Sequence, residues 1–482
     1  MNKLYVIGIG GTGSRVLKSL TMLLAAGVKI NASEIVPIII DPDLAAGDLE
    51  RAVSHIRNYC KVYDALDHNT ASSNTFFGTK INTSLIPSLR IPVKNTADVA
   101  FKDFIGLALM KDDKANYNAN HALASILFSE RNLDSTMEVG FKGNPNIGSV
   151  VLNQFSSSKE FKDLAEAVKK DDRIFIISSI FGGTGAAGFP LLAKEIRKEK
   201  SKDENAALQN VPIGAVTVLP YFDVKADENS EIDSTPFFSK TKAALSYYKK
   251  NLNEVNVMYY IGDKPSNLYA NSEGGAEQRN DAHFVELAAA LAIIDFAQYG
   301  DADFPVHEGK LQHSSIYKEF GIKNEAKQIT FGDLDETTNL IVKKPLTQFT
   351  LFCKYLNEQI NDSLKQPWAL KHKFDENFMT SAFYRSNLKA VKDAYIEWLS
   401  EMSANSRAFT PFLLAENKSN VFALIKDEKP KKSLIGKSNY SLFDDVLNDK
   451  QRNLNASASQ PQLFMELFHA ATQKLVKSKF RM

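Results

Sequence analysis

The sequence predicts an α/β protein: a mostly parallel sheet flanked by helices, followed by a largely helical C-terminal region. Three observations predict it. Short apolar runs rich in β-branched residues recur between Leu4 and Ile261. Two of them run directly into glycine-rich loops that open helical periodicity. After about residue 310 strand signals thin out and helical spacing takes over.

Leu4–Ile9 is the first apolar run; glycines follow, and Arg15 to Ala26 has helical spacing. Ile35–Ile40 is a second buried strand, closed by Asp41-Pro42-Asp43. Strand, loop, helix and strand in that order describe a parallel unit with a covering helix. Residues 50–138 are polar, with helical patches such as Ala97–Met110, and read as an elaboration on one edge. The α/β pattern returns at Gly140: a helix at Phe161–Lys170, a strand at Ile174–Ile177, glycines, and a helix at Phe189–Lys198. Ile213–Leu219 and Val255–Ile261 are further strands. Asp281–Tyr299 is a long Ala-rich helix, too apolar to lie outside the core. Two domains are expected, residues 1–305 and a mostly helical 306–482, with helical spacing at Glu336–Lys365 and Ser386–Ser403 and a loop-rich polar stretch over 428–462.

Composition narrows the function classes. The 482 residues include 58 Lys+Arg against 57 Asp+Glu, a net charge of +1 that gives no electrostatic case for nucleic acid. No apolar run reaches the roughly 18 residues of a membrane span. Two distant cysteines, Cys60 and Cys353, make neither a disulfide framework nor a Cys-based zinc site, and a reducing cytoplasm is the expected compartment. The eight histidines form no metal-ligand spacing, so no protein-held metal centre is expected.

The chemistry lies in the glycine loops. Gly8-Ile9-Gly10-Gly11-Thr12-Gly13 stands between a strand and a helix. Glycines there let backbone N–H groups approach an anion, and the helix N-terminus adds its dipole. In the register Gly8-x-Gly10-x-x-Gly13 it nearly gives the dinucleotide fingerprint of a Rossmann-like sheet. Read alone, it is also a tight turn. A second loop, Gly182-Gly183-Thr184-Gly185-Ala186-Ala187-Gly188, again follows a strand and opens a helix. Two such loops on one sheet suggest phosphates held from both sides.

At this point the residues resemble the tubulin superfamily, and most closely its divergent bacterial tubulin-like members. GGTG after a strand resembles the family's signature loop, and VIGIGGTGS its first glycine loop. IIIDPD stands where the family has an acidic loop, and Gly143-Asn144-Pro145-Asn146-Ile147-Gly148 resembles its GANPxVG loop. Val216-Thr217-Val218-Leu219-Pro220-Tyr221-Phe222 is similar to a strand ending VTxPF. The five elements occur in the family's order and cover roughly residues 1–305.

The resemblance implies GTP or GDP with Mg²⁺, held by Gly10, Gly11, Thr12, Gly13, Asp41, Asp43, Gly143, Asn144, Pro145, Gly182, Gly183, Thr184 and Gly185. It places a ribose contact at Asp223 and base contacts near Asp263, Asn280 and Asp281, whose carboxylates can accept from guanine. It also implies that carboxylates after the central helix, Asp303 with Asp301 beside it, act on the nucleotide of the next subunit in a head-to-tail assembly. Asp41 and Asp43 suit hard-cation contact, but they also suit a turn. Gly300-Asp301-Ala302-Asp303 is likewise good turn chemistry.

Three departures stand out. Ala187 takes the place of the last signature glycine, Arg15 replaces a base-reading asparagine, and Val306 replaces the second catalytic acid. His283 and Glu286, at i and i+3, read as a partly buried hydrogen-bonded pair.

The leading expectation is a GTP-binding protein and GTPase whose site is completed by subunit association. A second is a nucleotide-binding interaction module that meets a protein partner through its helical C-terminal region. A third is a ubiquitin-activating-type adenylating enzyme, on the likeness of GIGGTGS and IIIDPD, although CxxC is absent. An NAD-dependent dehydrogenase explains least, because it leaves the second loop without a role.

Overall fold

The computed structural model describes residues 2–482 apart from 44, 69–75, 113, 138, 199–206, 226–236, 266, 270–274, 277–278, 305, 308–309, 312–315, 321–326, 416, 432–438, 455–456 and 481. Its centre is an eight-stranded sheet. The strands are β1 (Lys3–Ile9), β2 (Glu34–Ile40), β3 (Lys80–Ile81), β4 (Arg90–Ile91), β5 (Arg173–Ser179), β6 (Ile213–Val218), β7 (Val257–Ile261) and β8 (Ile316–Phe320). The order is β8-β7-β6-β5-β1-β2-β3, with β4 also on β2, and every pairing is parallel. β2 and β5 are buried along their whole length, as expected for strands covered on both faces. The predicted α/β class is therefore the observed one.

The main helices are α1 (Gly10–Ala25), α2 (Gly47–Asp64), α3 (Pro145–Val151), α4 (Gly183–Lys198), α5 (Phe237–Asn251) and α6 (Phe284–Gln298). The C-terminal region adds α7 (Glu336–Glu358), α8 (Lys389–Ala404), α9 (Tyr440–Lys450) and α10 (Gln460–Lys479). The central helix α6 is buried except at Asp295 and its last residue, Gln298, and packs on α1, β6 and β7. Its Ala-rich composition lets it sit between those layers.

Some boundaries differ from expectation. The sheet does not stop at residue 305, because Ile316–Phe320 pairs with β7 as an edge strand. The 50–138 segment lies on one edge, but it supplies most of α2 and the short strands β3 and β4, while Ala97–Met110 yields a single α-helical turn at Phe101–Phe104 and the start of a 3-10 turn at Leu109. The polar stretch over 428–462 contains α9: its capping residue Asn439 and its buried Tyr440, Phe443 and Leu447 outweigh the polar average.

The C-terminal helices pack directly on the sheet domain. The buried Trp398 indole donates to Ser19 Oγ at 3.1 Å, and Lys18 pairs with Glu401 at 2.8 Å. Among the described residues no helix is long and apolar enough to cross a membrane.

Candidate functional site

The strand order reverses between β1 and β5, so the loops leaving their C-terminal ends flank a crevice. In open parallel sheets that crevice is where ligands bind. Both glycine loops lie there. Gly10 has φ +71°, and a Cβ on it would lie 3.5 Å from Thr184 Cβ. The first and second loops therefore touch. Gly8 and Gly13 press backbone to backbone, and a Cβ on Gly13 would stand 2.5 Å from the Gly8 carbonyl carbon. That contact folds the loop back so that α1 begins at Gly10.

The third and acidic loops close the ring. A Cβ on Gly183 would meet the amide nitrogens of Asn144 and Gly143 at 3.0 and 3.2 Å. One on Gly140 would meet Thr184 Oγ1 at 3.8 Å and Pro42 at 4.0 Å. Gly10, Gly11, Thr12, Gly13, Asp41, Asp43, Gly143, Asn144, Pro145, Gly182, Gly183, Thr184 and Gly185 thus come from four segments that meet at one crevice. Ile9 caps α1 with no side-chain hydrogen bond, so the cap residue leaves the first-turn N–H groups uncovered. With the dipoles of α1 and α4, the crevice has the makings of an anion cradle. The shifted glycine also has a packing reason: Gly188 sits against Ile9 and Leu152, and Ala187 against Gly148.

The two acidic residues of the second loop differ. Asp43 accepts from the amides of Ala45 at 3.1 Å and Gly275 at 2.7 Å, so both its oxygens brace the loop. Among the described residues, Asp41 accepts only from the Asp43 amide, at 3.1 Å. Burial pushes the Asp41 carboxyl up to about 7; the Asp43 amide pulls it down and the Asp43 charge adds to the rise.

Arg15 does not face outward as a base reader. It is buried; Nε donates to Glu286 at 2.7 Å, Nη1 to Asp48 at 2.9 Å and Nη2 to the Tyr221 hydroxyl at 3.0 Å. Tyr221 in turn donates to Glu286 at 2.9 Å. Burial opposes the guanidinium charge, but Tyr221, Glu286 and Asp48 outweigh it and hold Arg15 charged. Burial pushes Glu286 above the usual carboxylate range, while Arg15 pulls it back. His283 and Glu286 form the expected pair, a capping box at the start of α6. Burial, with Arg15 and Arg407 nearby, pushes His283 down to about 4.

The remaining base-side residues are scattered. Asn280 donates its backbone and side-chain N–H groups to Asp48, each at 3.2 Å. Asp281 is exposed; burial of its carboxyl and then the nearby Glu401 raise its pKa. Asp263 follows β7 and is locked to Arg407 at 2.6 Å, so its carboxylate joins the C-terminal region to the sheet. Asp223 is half-buried in a short strand, Phe222–Val224, that pairs with Asn267–Tyr269.

Asp301 and Asp303 lie elsewhere. α6 begins beside Arg15, at the glycine-loop edge, and ends at Tyr299, whose carbonyl accepts from Arg173. Arg173 is the first residue of β5, so this is the opposite edge of the sheet. Arg173 also pairs with Asp301 at 2.8 Å. Asp303 Oδ2 accepts from the Gly300 amide at 2.6 Å, and both carboxylates are exposed. The 15 residues of α6 separate the two ends by about 22 Å.

Sequence reasoning missed Asp48 and the partners of Arg15. The available signal was an acidic residue in the first turn of α2, a common helix-start feature with nothing to single it out.

No family model matches this chain, and no curated protein matches it. Solved structures match over part of it. CetZ from Methanosaeta thermophila strain DSM 6194 is 15% identical over 62% of this chain and 52% of that one, with a TM-score of 0.28. A GTPγS-bound protofilament of CetZ2 from Haloferax volcanii is 13% identical over 62% and 60%, TM-score 0.28. A GDP-bound monomer of CetZ1 from Haloferax volcanii is 12% identical over 54% and 51%, TM-score 0.27. The matched part spans less than two thirds of each of these proteins.

Proposed function

We propose that this chain is a cytoplasmic, bacterial tubulin-like guanine-nucleotide-binding protein, and a GTPase whose active site is completed by head-to-tail association of two copies. One observation carries the reading: the glycine cradle and the Asp301–Asp303 turn stand at opposite ends of the same central helix. A carboxylate about 22 Å from the cradle cannot meet a nucleotide bound in its own chain. It can meet one bound by a neighbour stacked edge to edge along α6, and that stacking is a heterologous contact that repeats.

The residues fit GTP as substrate. Amides at the starts of α1 and α4 would hold the phosphates, and the Gly10–Thr184 and Gly183–Gly143 contacts keep the loops close around them. Mg²⁺, when bound, would neutralise phosphate charge. Asp41, with an oxygen to spare, suits its water shell, whereas Asp43 is committed to its loop. Asp303 keeps its second oxygen for orienting a water.

A second reading is a non-hydrolysing nucleotide-binding module with a protein partner on the C-terminal helices. The observation favouring it is that Asp303 caps its own turn and Asp301 already pairs with Arg173. Incubating the protein with labelled GTP or ATP and Mg²⁺ across a concentration series separates the readings. Phosphate release per molecule that rises with concentration supports the GTPase. Binding without release supports the module. Pyrophosphate release from ATP supports an adenylating enzyme, and no nucleotide binding refutes all three.

A further inference from the structure

Helices α4 and α5 face each other across a cavity of about 610 Å³ beside the cradle. Residues at helical spacing line its two walls: Ala187, Pro190 and Lys194 from α4, and Lys240, Ala243 and Tyr247 from α5. The gap is built into the fold. Pro190 has no N–H, so the Ala186 carbonyl lacks its helical donor. The buried Tyr248 hydroxyl donates to it instead, at 3.3 Å, and its ring stands edge-on to Phe189 at 5.4 Å. At the other end Lys240 donates to the Gly143 carbonyl at 2.8 Å. Between these two ties the facing side chains are mostly small, Ala187 and Pro190 against Ala243 and Ala244, and space remains.

The chemistry of the lining is one-sided. The walls are mainly apolar, and Lys194 supplies a positive charge at the end away from the cradle. Its Nζ rests 3.1 Å from the Tyr247 hydroxyl and 5.3 Å over the Tyr247 ring. Among the described residues no carboxylate pairs with it. An apolar chamber of several hundred Å³ with a convergent charged group suits a ligand of drug-like size. We propose that this cavity binds a small amphipathic monoanion. Its aromatic or medium-length alkyl body would lie against Pro190 and the alanines, and its carboxylate or sulfonate would meet Lys194. The cavity shares Asn144 and Pro145 with the third glycine loop, so the occupant lies next to the nucleotide crevice without entering it.

The test uses the full chain and needs no nucleotide, so it fails or succeeds independently of the GTPase reading. The protein is titrated with 8-anilinonaphthalene-1-sulfonate, followed by fluorescence, then challenged with dodecanoate or, as a charge-reversed control, dodecylammonium. One saturable site, displaced by dodecanoate and not by dodecylammonium, is expected. Lys194→Met should weaken binding by about five- to tenfold, as loss of one partly screened charge contact does. Ala243→Phe, at an exposed position on the cavity mouth, should block it; Ala243→Leu is the milder replacement if the first variant unfolds. Unchanged melting curves must accompany both losses. Binding that does not saturate, that survives both Ala243 variants, or that dodecylammonium displaces equally well overturns the proposal.

Discussion

If the active site is shared between copies, two inactive variants should restore each other. The first perturbation is Gly11→Asp. Gly11 is half-buried at the start of α1, and a Cβ there meets only Arg15 Nη1, at 3.6 Å, so the backbone has room for it. Its carboxylate would add a negative charge in the first turn of α1, at the edge of the cradle, with Arg15 Nη1 beside it offsetting part of the effect. Like charges about 4 Å apart repel by roughly 4 kcal/mol at an effective dielectric near 20, enough, before that offset, to lower phosphate binding about a thousandfold. The second perturbation is Asp303→Asn. An asparagine keeps an oxygen for the Gly300 amide, now 2.6 Å away, so the turn survives while the carboxylate is lost. Each variant alone should release almost no phosphate from GTP. In an equal mixture, a junction works when an intact cradle meets an intact Asp303, which is roughly one junction in four for random head-to-tail assembly. Phosphate release should therefore recover to roughly a quarter of the wild-type rate at the same total concentration. If Asp303→Asn still binds GTP, both variants fold, and the mixture stays as inactive as its parts, the shared-site argument is wrong. Full activity of Asp303→Asn alone would refute it equally.

Two further outcomes follow from buried charge. Arg15→Met leaves Asp48 and Glu286 buried without their shared cation, and should cost about 3–5 kcal/mol, read as a lower urea midpoint. Adding Glu286→Gln should return part of that loss, because one stranded carboxylate is removed. His55, His283 and His469 are each pushed down to about 4, mainly by burial. Their folded pKa values lie below the unfolded value near 6.5, so the unfolded chain takes up protons first. Stability should be complete above about pH 6.5 and fall progressively towards pH 4. His469→Gln cannot protonate and should reduce that acid loss by at most about 3 kcal/mol, measured as the difference between the two pH–stability curves. Equal slopes for wild type and variant would count against the account.

Much of this arrangement was legible in the sequence because it depends on local pattern. Strands β1, β2 and β5 are continuous apolar runs, and α1 and α4 follow glycine loops, so period and punctuation sufficed. The convergence of the loops was legible because strand C-termini in a parallel sheet share one edge. What escaped was set by contacts between distant residues. β8 is a short strand whose place depends on the free edge of β7. Asp48 and Glu286 are unremarkable as helix-start acids until the fold brings both to Arg15, across 33 and 271 positions. The same holds for Asp263, whose partner Arg407 is 144 residues away.

Base selection is where that loss of information matters most. The position that the resemblance assigns to a base-reading asparagine is Arg15, and its guanidinium is consumed by two carboxylates. Asp263 is half committed: Arg407 and the Lys264 amide both occupy its Oδ1, while its buried Oδ2 has no hydrogen-bond partner among the described residues. Of the acids named for guanine, Asp281 is the exposed one, just ahead of α6 and next to Asn280, which Asp48 holds in place, whereas Asp263 is tied to Arg407. A carboxylate is the group that accepts from both N1–H and N2–H₂ of guanine and meets no matching donor pair on adenine. Asp281→Asn should therefore lower the preference for GTP over ATP by roughly tenfold to a hundredfold while leaving stability near wild type. Asp263→Asn should do the reverse: it strands Arg407 and lowers the unfolding midpoint, with the GTP-to-ATP ratio unchanged. Competition binding with both nucleotides, run beside melting curves, reads the two effects separately. If selectivity follows Asp263 and not Asp281, the base lies over β7, and Arg407 must release its partner when the nucleotide binds.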